Sequence, residues 1–157
     1  MISNESLEVF RSPHWVIRHS AEAAIPGYVV LYSTHPVDCL ADLSKSASEE
    51  LGPLLQCTVK AVENIVKPER VYVCLFNETH SAVHFHVFPR MSWMRKFSPG
   101  AEDPGNLIDG GIVFSAARRA KADPAAIREA EPQMMEAAAA IRKLVNQALL
   151  AHSLSRL

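Results

Sequence analysis

Between Val83 and Phe88 the chain reads Val-His-Phe-His-Val-Phe, and no other stretch constrains the fold as much. Strand side chains alternate faces, so His84 and His86 point one way while Val83, Phe85 and Val87 point the other. Phe88 shares the histidine face, and Pro89 is expected to end the pairing. Two imidazoles are thereby held side by side on a rigid element. The apolar face behind them demands a core.

The rest of the chain can supply that core. It has 157 residues, 48% of them hydrophobic, which suits one domain. A net charge of −1 offers no global field for a nucleic acid polymer or an anionic membrane. Any phosphate-rich ligand therefore needs local cations. Cys39, Cys57 and Cys74 are odd in number and lack a CxxC pair, which suits reduced thiols better than a disulfide framework or a zinc site. The opening residues are polar and of mixed charge, unlike a signal or transit peptide, and no apolar run is of membrane-spanning length. A soluble cytoplasmic protein is the expectation.

In order, residues 1–12 read as an arm or a short helix. Residues 15–19 and 28–33 read as strands joined through the Pro26-Gly27 turn, an antiparallel pair. Ser46 and Glu49 resemble a capping box with acidic residues in the first turn. Leu51, Leu54, Leu55, Val59, Val62 and Val66 then give a helical apolar stripe. Pro53 predicts a kink or a late start there, and Pro68 closes the helix. Residues 71–76 and 83–88 form a second pair of strands, a hairpin through the polar segment 77–82. The order β, β, α, β, β predicts an α+β meander with a helix on one face. Residues 99–111 read as a Pro/Gly/Asp-rich loop and 112–114 as a short strand. Asp123-Pro124 starts a helix that Pro132 breaks or restarts, before an alanine-rich helix over 133–152.

This order and the run Ala82-Val83-His84-Phe85-His86-Val87-Phe88-Pro89-Arg90 resemble the histidine triad (HIT) family of nucleotide hydrolases and transferases, whose motif is His-φ-His-φ-His-φ-φ. Pro26-Gly27-Tyr28-Val29-Val30-Leu31 is similar to the family's Pro-Gly-His-φ-φ-φ strand, and Asp42-Leu43 fits its helix approach. The match spans about residues 13–92. Two positions depart from the pattern: Ala82 stands for the first histidine and Tyr28 for the one after Pro-Gly. Both belong to the network behind the nucleophile. Tyr28, larger and still able to hydrogen-bond, is expected to fill the space vacated at Ala82.

The resemblance implies one HIT-like domain over 1–157, with a core of about 13–98, a loop over 99–122 and C-terminal helices over 123–157. It also implies a homodimer and a nucleotide substrate with no required cofactor, metal being left open. His84 would attack phosphorus to form a nucleotidyl-histidine on a phosphoanhydride or phosphoramidate, with a dinucleoside polyphosphate as one candidate. Its second ring nitrogen needs an acceptor, expected to be a backbone carbonyl. His86 would bind phosphoryl oxygens and help protonate the leaving group. Asn77, Thr79 and Arg90 are the phosphate-binding candidates, with Arg18, Arg95 and Lys96 behind them, and Tyr28, His35 and Ala82 would belong to the network.

Other readings stay open. A His-x-His pair can chelate a metal, with His80 as a third nitrogen, though no carboxylate follows His86. It can also be purely structural. A further alternative is a non-catalytic nucleotide-binding or regulatory protein, which the losses at Ala82 and Tyr28 favour. His80 reads as a turn residue, and His14, His19 and His152 as surface groups. Arg118, Arg119 and Lys121 read as a solvated face, with a phosphate-gripping lid as the alternative. Trp15 and Trp93 read as core or dimer contacts.

Overall fold

The computed structural model describes residues 6–78, 82–101, 103 and 105–154, the side chains of 152–154 excepted. Five antiparallel strands form one sheet: β1 (Glu8–Arg11), β2 (Trp15–His19), β3 (Val29–Ser33), β4 (Arg70–Cys74) and β5 (His84–Arg90). Their spatial order is β1-β2-β3-β5-β4, so the histidine strand is interior and paired on both sides. The α+β meander expected from the sequence is the architecture found. One strand was missed within 1–12, because β1 is a short edge strand whose pairing with β2 slips between Glu8 and Phe10. A bulge of this kind breaks the period-two pattern.

Helix α1 (Lys45–Val66) packs on one face of the sheet with α3 (Pro124–Leu154). Ser44, not Ser46, is the N-cap of α1: its hydroxyl accepts from Ala47 N at 3.2 Å. The helix therefore starts well before Pro53, and no acidic residue lies in its first turn. The carbonyl that Pro53 leaves without a donor belongs to Glu49, which is exposed and can be solvated. The apolar stripe lies as expected, with Leu54 and Val62 buried against Val83, just before β5, and Phe85 and Val87 within it. At its C-cap, Lys67 adopts φ 50 before Pro68 ends the helix.

Pro132 neither breaks nor restarts α3, which runs through it. Arg128, four residues back, is exposed, so water serves its carbonyl. Pro89 does not end β5 either, since Val71 pairs with Pro89 and Arg70 with Arg90. The Arg90 carbonyl accepts from Glu69 N on the β4 side. Alternation turns the Pro89 nitrogen toward β3, beyond the last pairing of that strand at Val29 and Val87. The missing N–H costs the ladder nothing.

The largest correction concerns 99–122. Residues 112–114 are not a strand but part of helix α2 (Gly110–Ala120), capped by the Asp109 side chain, which accepts from Ile112 N at 2.9 Å. Val113, Phe114 and Ala117 recur at helical spacing and bury themselves on the second face of the sheet, with Tyr28, Val30, Phe88 and Met94. This is the histidine face. The sheet therefore has helices on both sides, and α2 is the one that defines the site.

Candidate functional site

The strand registers place the site residues in cross-strand rows. Arg18, Val30, His86 and Cys74 stand opposite one another across β2, β3, β5 and β4; Val16, Tyr32 and His84 form the next row. Residues directly opposite in an antiparallel pair share a face, so these side chains lie on the surface that α2 covers. The His84 and His86 rings are 5.0 Å apart between centroids, and nearly perpendicular at 81°. Only 2% of His84 and 7% of His86 is exposed.

Hydrogen bonding defines the state of His84. Its Nδ1 lies 2.8 Å from the Ala82 carbonyl oxygen. A carbonyl only accepts, so Nδ1 carries the proton, and in the neutral ring Nε2 carries the lone pair. The expected backbone acceptor is thus the Ala82 carbonyl. Tyr32 stacks on the His84 ring at 5.8 Å and 22°.

Tyr28 does not fill the space beside Ala82. It continues β3 to a position beside Phe88, whose ring it meets edge-on at 5.3 Å, and its hydroxyl lies 2.7 Å from His86 Nδ1. Four residues of strand, about 13 Å, separate that bond from Ala82. Burial pushes the Tyr28 phenol well above its usual range, with Arg118 opposing, so the hydroxyl keeps its proton. Phe114 of α2 packs against His86 at 5.3 Å and against Phe88 at 5.1 Å. Cys74, opposite His86, is pushed up by burial and stays a thiol.

The phosphate-binding candidates are spread more widely than the sequence suggests. Asn77, in the left-handed region at φ 55, donates to the Asp38 carbonyl at 3.1 Å and accepts from His84 N at 3.2 Å. Its amide clasps two loops to the start of β5. Arg90 is on the histidine face but about 13 Å further along the strand. It is buried there in an ion pair with Glu69, which Arg95 also approaches at 3.8 Å. Thr79 and His80 lie outside the described residues, as does the His152 side chain. His35 is exposed near His14, ring centroids 6.2 Å apart, and is not among the residues gathered around His84.

His19 is not a surface group: it is 2% exposed. Its Nδ1–H donates to the Ser20 carbonyl at 2.8 Å and its Nε2 accepts from Gly27 N at 2.8 Å, tying β2 to the Pro-Gly turn. Trp15 is core, its indole donating to the Ala47 carbonyl, while Trp93 is exposed with Lys121 over its ring at 5.2 Å.

Sequence reasoning missed Phe114 and Tyr32 and left Arg118 on a solvated face. The structure puts the Arg118 guanidinium 5.1 Å from the Phe114 ring and 5.9 Å from the Tyr28 ring, with Nη2 on Glu22 at 2.6 Å. Among the described residues, no group of three or more His, Cys, Asp or Glu could hold a metal, and no helix is long and apolar enough to cross a membrane.

No family model matches the sequence, and no curated protein matches it either. Solved structures do. A zinc-bound histidine triad family protein from Mycobacterium smegmatis aligns at TM-score 0.59 and 12% identity, over 92% of this chain and 87% of that one. Plasmodium falciparum diadenosine triphosphate hydrolase, in complex with cyclomarin A, aligns at TM-score 0.58 and 15% identity, over 92% of this chain and 80% of that one. The chain has the histidine triad fold. A Hit-like protein involved in cell-cycle regulation from Bartonella henselae aligns at TM-score 0.50 and 20% identity, over 79% and 85% of the two chains. On that fold, this chain carries His84 and His86 on an interior strand, with Phe114 of α2 against His86.

Proposed function

We propose that the protein is a nucleotide phosphohydrolase or nucleotidyl transferase acting on a phosphoanhydride or phosphoramidate through His84. The observation that carries this reading is the bond from His84 Nδ1–H to the Ala82 carbonyl, which commits the lone pair to Nε2. The diadenosine triphosphate hydrolase of the same fold is consistent with it. In the first step Nε2 bonds to phosphorus while the bond to the leaving group breaks, its electron pair going to the leaving atom. In its protonated form His86 donates Nδ1–H to the Tyr28 oxygen and passes its Nε2 proton to the leaving group, becoming the neutral ring. Water then attacks phosphorus, the P–N pair returns to His84, and His86 recovers a proton from the water. No metal enters this scheme.

The burial of both rings favours a second reading, a nucleotide-binding module without turnover. With Phe114 on His86, substrate meets phosphorus chemistry only if the cover moves. Adenosine phosphoramidate and dinucleoside polyphosphates, offered to the protein and to His84→Ala, separate the two. Turnover lost in the variant supports the enzyme; nucleotide binding without turnover supports the module. Loss of activity to chelators points instead to a metal site. A homodimer belongs to the same proposal, supported by edge strand β4, where Val73 is 44% exposed.

A further inference from the structure

Resting on the reading of His84 as the group that meets phosphorus, we propose that Arg18 and Arg118 form a clamp for the phosphates of the leaving group. The preferred substrate is then a phosphoanhydride with an anionic phosphate chain rather than a phosphoramidate.

Three observations converge on this pair. First, position: Arg18 stands in the same cross-strand row as His86, with Val30 between them, so their backbones are two strand spacings or about 9.5 Å apart. That is within reach of an extended arginine folded over a valine. Arg118 approaches from the opposite layer, above Tyr28 and Phe114, both of which contact His86. The charges of both arginines act on the Tyr32 phenol, and Tyr32 is the ring stacked on His84.

Second, unused donors. The Nε of Arg18 and the Nε of Arg118 are out of solvent and have no hydrogen-bond partner. Buried donors are normally satisfied. Arg90 Nε shares this state further along β5, and the two on Arg18 and Arg118 are those whose charges reach Tyr32 beside His84, where an acceptor would complete them. Phosphate oxygens are such acceptors, and the guanidinium fork fits them in pairs.

Third, exchangeable partners. Arg118 pairs with Glu22 at 2.6 Å and Arg18 with Glu8 at 3.4 Å, and all four side chains are partly exposed, Glu22 at 57%. Pairs this exposed contribute little stability, so a polyanion displaces the carboxylates at small cost. Arg90, by contrast, is tied to Glu69 and buried. The reaction needs such a clamp: when the bridging P–O bond breaks, its electron pair goes to the leaving phosphate, whose remaining oxygens stay ionised. A phosphoramidate releases an amine and has no use for it.

The test compares a dinucleoside polyphosphate with adenosine phosphoramidate on the full chain and on Arg118→Gln, Arg118→Lys, Arg18→Gln and Glu22→Gln. A lost charge-assisted hydrogen bond corresponds to about 10–100-fold in affinity. Each Arg→Gln variant should therefore lose about 10–100-fold more kcat/KM on the polyphosphate than on the phosphoramidate. Arg118→Lys should recover part of the loss, and Glu22→Gln should lower KM for the polyphosphate alone. Parallel losses on both substrates, or none, overturn the clamp. If neither substrate turns over, titration with ATP and AMP decides: tighter ATP binding that Arg118→Gln abolishes sustains the clamp, and equal affinities overturn it. Loss of both activities in His84→Ala, with the arginine variants changing the two substrates equally or not at all, would leave the parent reading standing and the clamp gone. Failure to bind either nucleotide would remove both.

Discussion

The Tyr28 hydroxyl sits 2.7 Å from Nδ1 of His86, on the face of the sheet that α2 covers. The bond joins the two places where the chain's motif is most legible, the Pro-Gly strand and the histidine strand. It gives Tyr28 a positioning role, since a phenol kept neutral by burial can hold the imidazole in one tautomer. Tyr28→Phe should lower kcat about tenfold, ~1.4 kcal/mol of barrier. It should also move the limb of the pH–rate profile that belongs to the acid. A profile of unchanged shape would reduce Tyr28 to packing.

His19 gives the fold a pH dependence. Desolvation pushes it down to about 4 from 6.5, the bond to the Ser20 carbonyl opposing. Between those values the unfolded chain binds a proton that the folded one does not, so stability rises with pH across the window. Acidification through it removes ~3 kcal/mol by pH 4. In urea titrations, His19→Gln should be less stable at pH 7 but flatter between pH 4 and 6.5. Parallel curves for the two proteins would assign the acid sensitivity elsewhere.

How much of this could be read in advance follows from where the signals are local. The alternation over 83–88 and the turn at Pro26-Gly27 fixed the faces and the antiparallel pairs, because period two and left-handed glycine are short-range constraints. Gly27, at φ 82, also has no room for a Cβ, which would lie 2.8 Å from the Val66 side chain. α2 stayed hidden because its first residues are Gly110 and Gly111, poor helix formers that resemble loop. The Val113, Phe114, Ala117 spacing behind an Asp109 cap was the available clue. His19 and Arg90 could not be placed from sequence at all, since their partners, the Gly27 amide and Glu69, are set by tertiary contact.

Phe114 is the hinge of the competing readings, since its ring lies against His86. Phe114→Ala should cost ~3–5 kcal/mol, the usual range for an aromatic lost from a core. It should also speed acylation of His84 and His86 by an imidazole-directed reagent, read by peptide mass spectrometry. Unchanged labelling would mean that α2 does not control access.

Lys67 ends α1 at φ 50, where a side chain is unfavourable. Lys67→Gly should raise the urea midpoint by ~1 kcal/mol equivalent without altering the slope. A lower midpoint would show that the lysine side chain contributes more than its backbone strain costs.

The central claim is that His84 presents Nε2 to a nucleoside phosphate. A crystal structure of the protein with a bound nucleoside monophosphate tests it directly. The account expects phosphorus at about 3–3.5 Å from His84 Nε2, in line for attack, with the cover over the ring displaced. A nucleotide bound away from that face, with Phe114 still resting on His86, would contradict it.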